Sequence, residues 1–174
     1  MIRHILLLFI LQAVHGLSFA QGKQNDPDLE AMLRKMTIEE KAGQMTQIDL
    51  GVIAEGGICA LKNPQAIDLT KLNEAINTYH IGSILNVGCG SGTISMENWQ
   101  RILASIHREN VRLSRLNIPI LYGIDAIHGA NYTMGATLFP QQIAQAATWN
   151  PTLVKKAYEV TAYEVRATGI PWNF

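Results

Sequence analysis

Y-G-I-D-A-I-H-G, residues Tyr122 to Gly129, is the stretch that decides the fold. Ahead of it, Ile118 to Leu121 forms an apolar run that reads as a buried strand, and the strand closes on a glycine followed by an acid. Where a parallel strand opens into its loop, an aspartate sits at the mouth of an α/β sheet, the place where such folds do their chemistry. Gly123 lets backbone or ligand approach closely, and Asp125 offers two acceptor oxygens suited to hydroxyl groups.

The chain on either side alternates between strand and helix. Leu29, Met32, Leu33 and Met36 recur at helical spacing, and Thr37 with Glu40 forms a capping box that opens a short helix through Ala42. Gln44 to Ile48 reads as a first strand, followed by a glycine-bearing connection from Gly51 to Asn63. Asp68 caps a helix whose Leu69, Leu72, Ile76 and Tyr79 share a face. Gly82 to Val87 is a second strand, with G-C-G-S-G as its loop. Ser95 caps a longer helix carrying Trp99, Ile102, Leu103 and Ile106, with Arg108, Arg112 and Arg115 toward its C-terminal end. Ile120 to Gly123 is the third strand. Asn150 caps the last helix, with Pro151 in its first turn, an inner stripe of Val154, Tyr158, Thr161 and Val165, and Gly169 as its stop. Ile170 to Phe174 begins another apolar segment. The class is therefore α/β, a parallel sheet with crossover helices.

Composition narrows the partners. Fourteen basic and fourteen acidic side chains cancel, so nothing favours nucleic acid or an anionic membrane, and a 48% hydrophobic content describes a core-forming chain. Arg3 and His4 precede an apolar run from Ile5 to Val14, and Ser18-Phe19-Ala20 presents small residues where a signal peptidase reads. Residues 1–20 are expected to be a secretory signal peptide, leaving residues 21–174 as the exported part, periplasmic or extracellular. The run is about half the ~20 residues a spanning helix needs, so no membrane span is expected. Cys59 and Cys89 are expected to be two independent buried thiols, and without a C-x-x-C pair neither zinc nor redox chemistry is suggested.

Four motifs carry a family resemblance. These are M-T-I-E-E-K-A-G-Q-M at Met36 to Met45, the Asp125 loop followed by Phe139-Pro140, A-A-T-W-N-P at Ala146 to Pro151, and T-A-Y-E-V-R-A-T-G-I-P-W at Thr161 to Trp172. In this order and spacing the chain resembles the glycoside hydrolase family 3 enzymes, the β-glucosidase and β-xylosidase group. The resemblance implies a (β/α)₈ TIM-type barrel, of which this chain carries only an incomplete first portion, since a whole barrel takes ~250 residues. It also implies a retaining, exo-acting β-glycosidase that hydrolyses terminal β-D-glucosyl residues of a small oligosaccharide or β-glucoside and needs no cofactor. The alternatives are a β-xylosidase of the same family and a catalytically inert fragment. The family's nucleophile and acid/base both fall beyond residue 174, so no catalytic carboxylate is expected in this chain, and the remainder of the full-length protein is needed for folding and activity. Residues 21–174 alone are expected to aggregate or stay molten. A β-N-acetylhexosaminidase is disfavoured, because that group carries a D-x-E-G-G type string where this chain has D-A-I-H-G.

The site residue that the resemblance implies is Asp125, matching the family's aspartate that binds hydroxyls of the terminal sugar. Its plain alternative is a cap for the turn that follows. His128 is expected to fix the loop through its ring nitrogens rather than ligate a metal, because a metal needs three or four ligands and no second cluster appears. Glu164 and Arg166, two residues apart on the last helix and so not facing each other, are each expected to play a structural part as ion-pair or capping partners. Trp172 stands open between a stacking surface for a sugar ring and a core residue. Gly88 to Gly92 lacks the lysine of a phosphate loop and is expected to be a tight turn at the sheet's upper face.

Overall fold

The computed structural model describes residues 26–59, 62, 64–88 and 92–174. The expected signal peptide lies outside them. The chain divides into two units, residues 1–35 and 36–174. In the first, α1 (Pro27–Lys35) places Asp28 and Glu30 in its first turn and Arg34 and Lys35 in its last, each charge complementing the helix dipole.

The second unit opens with the predicted capping box. The Thr37 backbone N–H donates to Glu40 Oε2 at 2.8 Å and the Glu40 N–H to Thr37 Oγ1 at 3.2 Å. This starts α2 (Ile38–Gln44), which runs two residues past the expected Ala42. The helical bonding persists through Met45 N–H to Ala42 and Thr46 N–H to Gly43, so β1 (Gln47–Asp49) begins later than the sequence suggested. Where a loop was expected after it, the Asp49 carboxylate accepts from the Gly51 N–H at 2.7 Å and caps a single helical turn, α3 (Leu50–Ile53). Asp68 caps α4 (Leu69–Asn77) through Thr70 and Lys71. Its buried stripe is Leu72, Ala75 and Ile76; Leu69, at the first position, and Tyr79, beyond the last, are exposed, so the expected four-residue face is narrower.

β2 (Ser83–Leu85), α5 (Met96–Leu113, capped by Ser95), β3 (Leu121–Ile124), α6 (Gln142–Ala146), α7 (Pro151–Ala167, capped by Asn150) and β4 (Trp172–Asn173) follow. The four strands form one parallel sheet in chain order, β1-β2-β3-β4. Register puts Gln47, Ser83 and Leu121 in one row, Ile48, Ile84 and Tyr122 in the next, and Asp49, Leu85, Gly123 and Trp172 in the third. Because side chains alternate faces along a strand, the middle row points opposite to the other two. That middle row meets the helices: Ile84 and Tyr122 join Leu72, Ile76, Trp99, Ile102, Ile106 and Val165 in the core, with Trp99 edge-on to Tyr122 at 5.7 Å. Each such fully buried side chain contributes roughly 1.5–3 kcal/mol. The other face carries Leu121 at 43% exposure and Trp172 at 38%. A doubly wound sheet buries both faces under helices, whereas a barrel keeps its helices on the outside. Helices on one face of an in-order parallel sheet are the arrangement of a barrel's first strands, here not closed.

The N-terminal ends of the strands are tied by an ion pair. Arg115, expected to sit with the helix-end arginines, instead reaches Glu40, with Nε to Oε1 at 2.9 Å and Nη2 to Oε2 at 2.6 Å. This fork and the Thr37 N–H lower the Glu40 carboxyl from 4.5 to about 2, against the opposing effect of desolvation. A depressed acid stabilises the fold fully above its unfolded value, and that contribution is lost as pH falls from about 4.5 toward 2. Glu40→Gln is expected to lower the melting temperature at pH 7 and to flatten its decline between pH 4.5 and 2. Melting curves across that range, read by circular dichroism, check it; parallel wild-type and variant profiles would contradict the assignment.

Candidate functional site

Each strand delivers an aspartate or asparagine to the C-terminal end of the sheet. Asp49 ends β1, Asn86 follows β2, Asp125 follows β3 and Asn173 ends β4. Their side chains are partly buried and stitch neighbouring strand ends together. The Asp49 carboxylate is engaged at both oxygens, accepting from Gly51 N–H at 2.7 Å and from Gly88 N–H at 3.2 Å. The Asn86 side chain and Asp125 pair reciprocally: Asn86 Nδ2 donates to Asp125 Oδ2 at 2.9 Å, and the Asp125 backbone N–H donates to Asn86 Oδ1 at 2.9 Å. Asn173 Oδ1 accepts from the Ala126 N–H at 3.0 Å. Among the described residues, no group other than Asn86 hydrogen-bonds the Asp125 carboxylate, so Oδ1 remains open. Of the two aspartates at the mouth, Asp49 is a clamp and Asp125 is the one with an acceptor to offer a ligand.

Two tyrosines flank these carboxylates. Tyr122 is buried and its hydroxyl donates to the Asn86 carbonyl. Burial pushes its pKa well above the ordinary value, and the Asp49 charge adds to this. Tyr132 is raised as well, by burial first and then by the charges of Asp125 and Asp49. Both therefore stay protonated at neutral pH, neutral O–H neighbours for two anions.

The loop after β3 is held at three points. The Tyr132 carbonyl accepts from the Ile94 N–H at 2.9 Å and from Trp99 Nε1 at 3.3 Å, which binds the loop to the β2 side. His128 pairs with Phe139, its carbonyl accepting the Phe139 N–H at 3.0 Å and its Nδ1 lying 3.1 Å from the Phe139 carbonyl. Glu164 on α7 accepts from the Thr137 N–H at 3.0 Å and from its hydroxyl at 2.8 Å.

The sequence placed Asp125 at the sheet's mouth, and it lies there. Its carboxylate meets the side chain of a neighbouring strand end, not the turn that follows. His128 fixes the loop through Nδ1 as expected, and among the described residues no group of three or more His, Cys, Asp or Glu could hold a metal. Glu164 is a structural partner as expected, accepting from the Thr137 N–H and hydroxyl. Trp172 lies edge-to-face on Phe174 at 4.5 Å, and both rings cover Gly123, where a Cβ would fall 2.5 Å from Phe174 Cζ. The close approach that Gly123 permits is thus made by this chain's own aromatics. Residues 89–91 of the glycine-rich stretch lie outside the described residues, and Gly88 is tied to Asp49.

The cysteine expectation is corrected. Cys59 is disulfide-bonded and no described cysteine is free; the sequence holds one other cysteine, Cys89. The physical reason is adjacency. β1 and β2 are parallel neighbours, so the connections that follow them start at the same end of the sheet.

Asp49, Asn86, Asn173 and Tyr122 escaped the sequence reading. One signal was available: Q-I-D, S-I-L-N and W-N end as G-I-D does, with a short carboxamide or carboxylate after an apolar step.

With this geometry established, the comparison with known proteins decides the family. The family model described as the glycosyl hydrolase family 3 N-terminal domain matches residues 37–174. The chain belongs to glycoside hydrolase family 3. Among family relatives, a lysosomal beta glucosidase of Dictyostelium discoideum is 36% identical over 86% of this chain and 18% of its own length. A periplasmic beta-glucosidase of Salmonella typhimurium is 27% identical over 80% of this chain and 14% of its own. The crystal structure of an exo-1,3/1,4-beta-glucanase from Pseudoalteromonas superposes with a TM-score of 0.64 and 32% identity, covering 85% of this chain and 17% of that one. The glycoside hydrolase family 3 N-terminal domain is a TIM-barrel-type α/β fold, and the four-stranded sheet is a part of it. This chain spans less than a fifth of the relatives' length. Among the described residues, no helix is long and apolar enough to cross a membrane.

Proposed function

We propose that the chain is the sugar-recognising first part of an exported, retaining, exo-acting β-glycosidase that removes terminal β-D-glucosyl residues from small oligosaccharides or β-glucosides. The observation that carries this reading is the open Oδ1 of Asp125 at the sheet's mouth, on a carboxylate whose other oxygen Asn86 holds. An anionic acceptor makes stronger hydrogen bonds than a neutral one, and the two lone pairs of the open oxygen suit adjacent hydroxyls. Asp125 orients the terminal sugar. The attacking and protonating carboxyl groups, ~5–5.5 Å apart in a retaining enzyme, come from the rest of the longer protein. Similarity to two β-glucosidases and an exo-β-glucanase supports the glucoside class, and the names lysosomal and periplasmic suit a product carrying a signal at residues 1–20.

The test is hydrolysis by the full-length protein of 4-nitrophenyl β-D-glucoside and β-D-xyloside, with the first-formed anomer followed by proton NMR. The glucoside is expected to be preferred and β-glucose to form first. First formation of α-glucose would exclude the retaining mechanism, and preference for the xyloside would move the protein to the xylosidases.

A further inference from the structure

We infer that Asn86 is a positioning residue for sugar binding, holding the Asp125 carboxylate in the one orientation that leaves Oδ1 facing the mouth. This rests on the reading of Asp125 as the hydroxyl ligand. The first observation is the reciprocal pair. The Asp125 N–H must meet an acceptor, which fixes Oδ1 of the Asn86 amide on that side and turns Nδ2 onto Asp125 Oδ2, both at 2.9 Å. The amide thus reads backbone and side chain of one residue at once and locks the carboxylate rotation that a lone aspartate would keep free.

The second observation is backbone cost. Asn86 has φ +48, in the left-handed region that non-glycine residues seldom occupy and that asparagine tolerates better than most. The third is its support. The Asn86 N–H donates to the Gly123 carbonyl at 3.0 Å, and its carbonyl accepts from the buried Tyr122 hydroxyl. β3 therefore grips both ends of Asn86, and Asn86 in turn grips the residue just past the end of β3. A side chain tied this closely to a ligand-binding carboxylate reduces the ordering that substrate binding must otherwise impose.

The test is a double-mutant cycle in the full-length enzyme, using Asn86→Gly and Asp125→Ala. Glycine accepts the left-handed backbone and keeps the Tyr122 contact, so the fold is preserved while the amide is lost. Asn86→Gly is expected to lower kcat/KM for an aryl β-glucoside about 30-fold, and to change it less than about 3-fold when Asp125 is already alanine. Equal losses in both backgrounds would show that Asn86 acts independently of Asp125 and would overturn the inference alone. So would an unchanged kcat/KM in Asn86→Gly beside a large loss in Asp125→Ala. An Asp125→Ala variant that keeps wild-type kcat/KM would remove both this inference and the sugar-binding reading beneath it.

Discussion

Asp125→Ala in the full-length protein is expected to lower kcat/KM for an aryl β-glucoside by about 10²–10⁴-fold. A hydrogen bond to a charged group is worth about 1.5–3 kcal/mol, and the open carboxylate oxygen can serve adjacent hydroxyls, so two such bonds give that range. The variant also leaves the Asn86 amide without its acceptor. Because the contacts orient the sugar on its way to the transition state, the loss should fall on kcat as well as KM. Substrates lacking one hydroxyl of the terminal glucose supply the control. A deoxy-sugar missing one of the two hydroxyls Asp125 binds should lose only about 10–10²-fold to the substitution, because one bond of about 1.5–3 kcal/mol remains. Steady-state kinetics with the deoxy series reads this directly, and a variant that keeps wild-type kcat/KM would remove Asp125 from the site.

The second large effect concerns stability. Gly129→Ala is expected to destabilise the protein by about 3 kcal/mol or more, and Gly135→Ala by only about 1–2 kcal/mol. Both residues hold a positive φ, +78° and +82°, which costs an L side chain about 1–2 kcal/mol. They differ in surroundings. A Cβ at Gly129 would lie 2.2 Å from the Thr137 carbonyl oxygen and 3.0 Å from Phe139 Cδ2, whereas a Cβ at Gly135 meets nothing within 4 Å. Thr137 cannot retreat freely, because Glu164 holds its N–H and hydroxyl, and overpacking adds a further ~1–3 kcal/mol. Thermal unfolding of the two variants side by side separates the effects. Coincident midpoints would show that the Thr137 contact is relieved at no cost.

Much of this architecture could be read locally. Thr37 with Glu40, Asp68, Ser95 and Asn150 with Pro151 all start helices where the sequence placed them, because a cap is decided within three residues. The position of Asp125 at the end of β3 was legible for a similar reason, through the motif around it. Strand limits were less so. Nothing within Gln44 to Asp49 announces that helical bonding reaches Thr46, since a three-residue strand is defined by its partner and not by its own pattern. Contacts distant in sequence were silent. Asn86 meets Asp125 across 39 positions, Arg115 meets Glu40 across 75, and Glu164 meets Thr137 across 27. Each pairing follows from strand order and register, which a single chain does not spell out. The disulfide at Cys59 belongs to the same group.

The Glu40–Arg115 fork braces the end of the sheet where the strands begin, while Asp49, Asn86, Asp125 and Asn173 crown the end where they finish. The acid-sensitive brace and the proposed sugar contact are thereby placed at opposite ends of one short sheet. On the proposed reading of Asp125, a lineage, or an engineer, can therefore redraw the crown for a different sugar without touching the brace. It can equally harden the brace against acid without altering the residues at the crown.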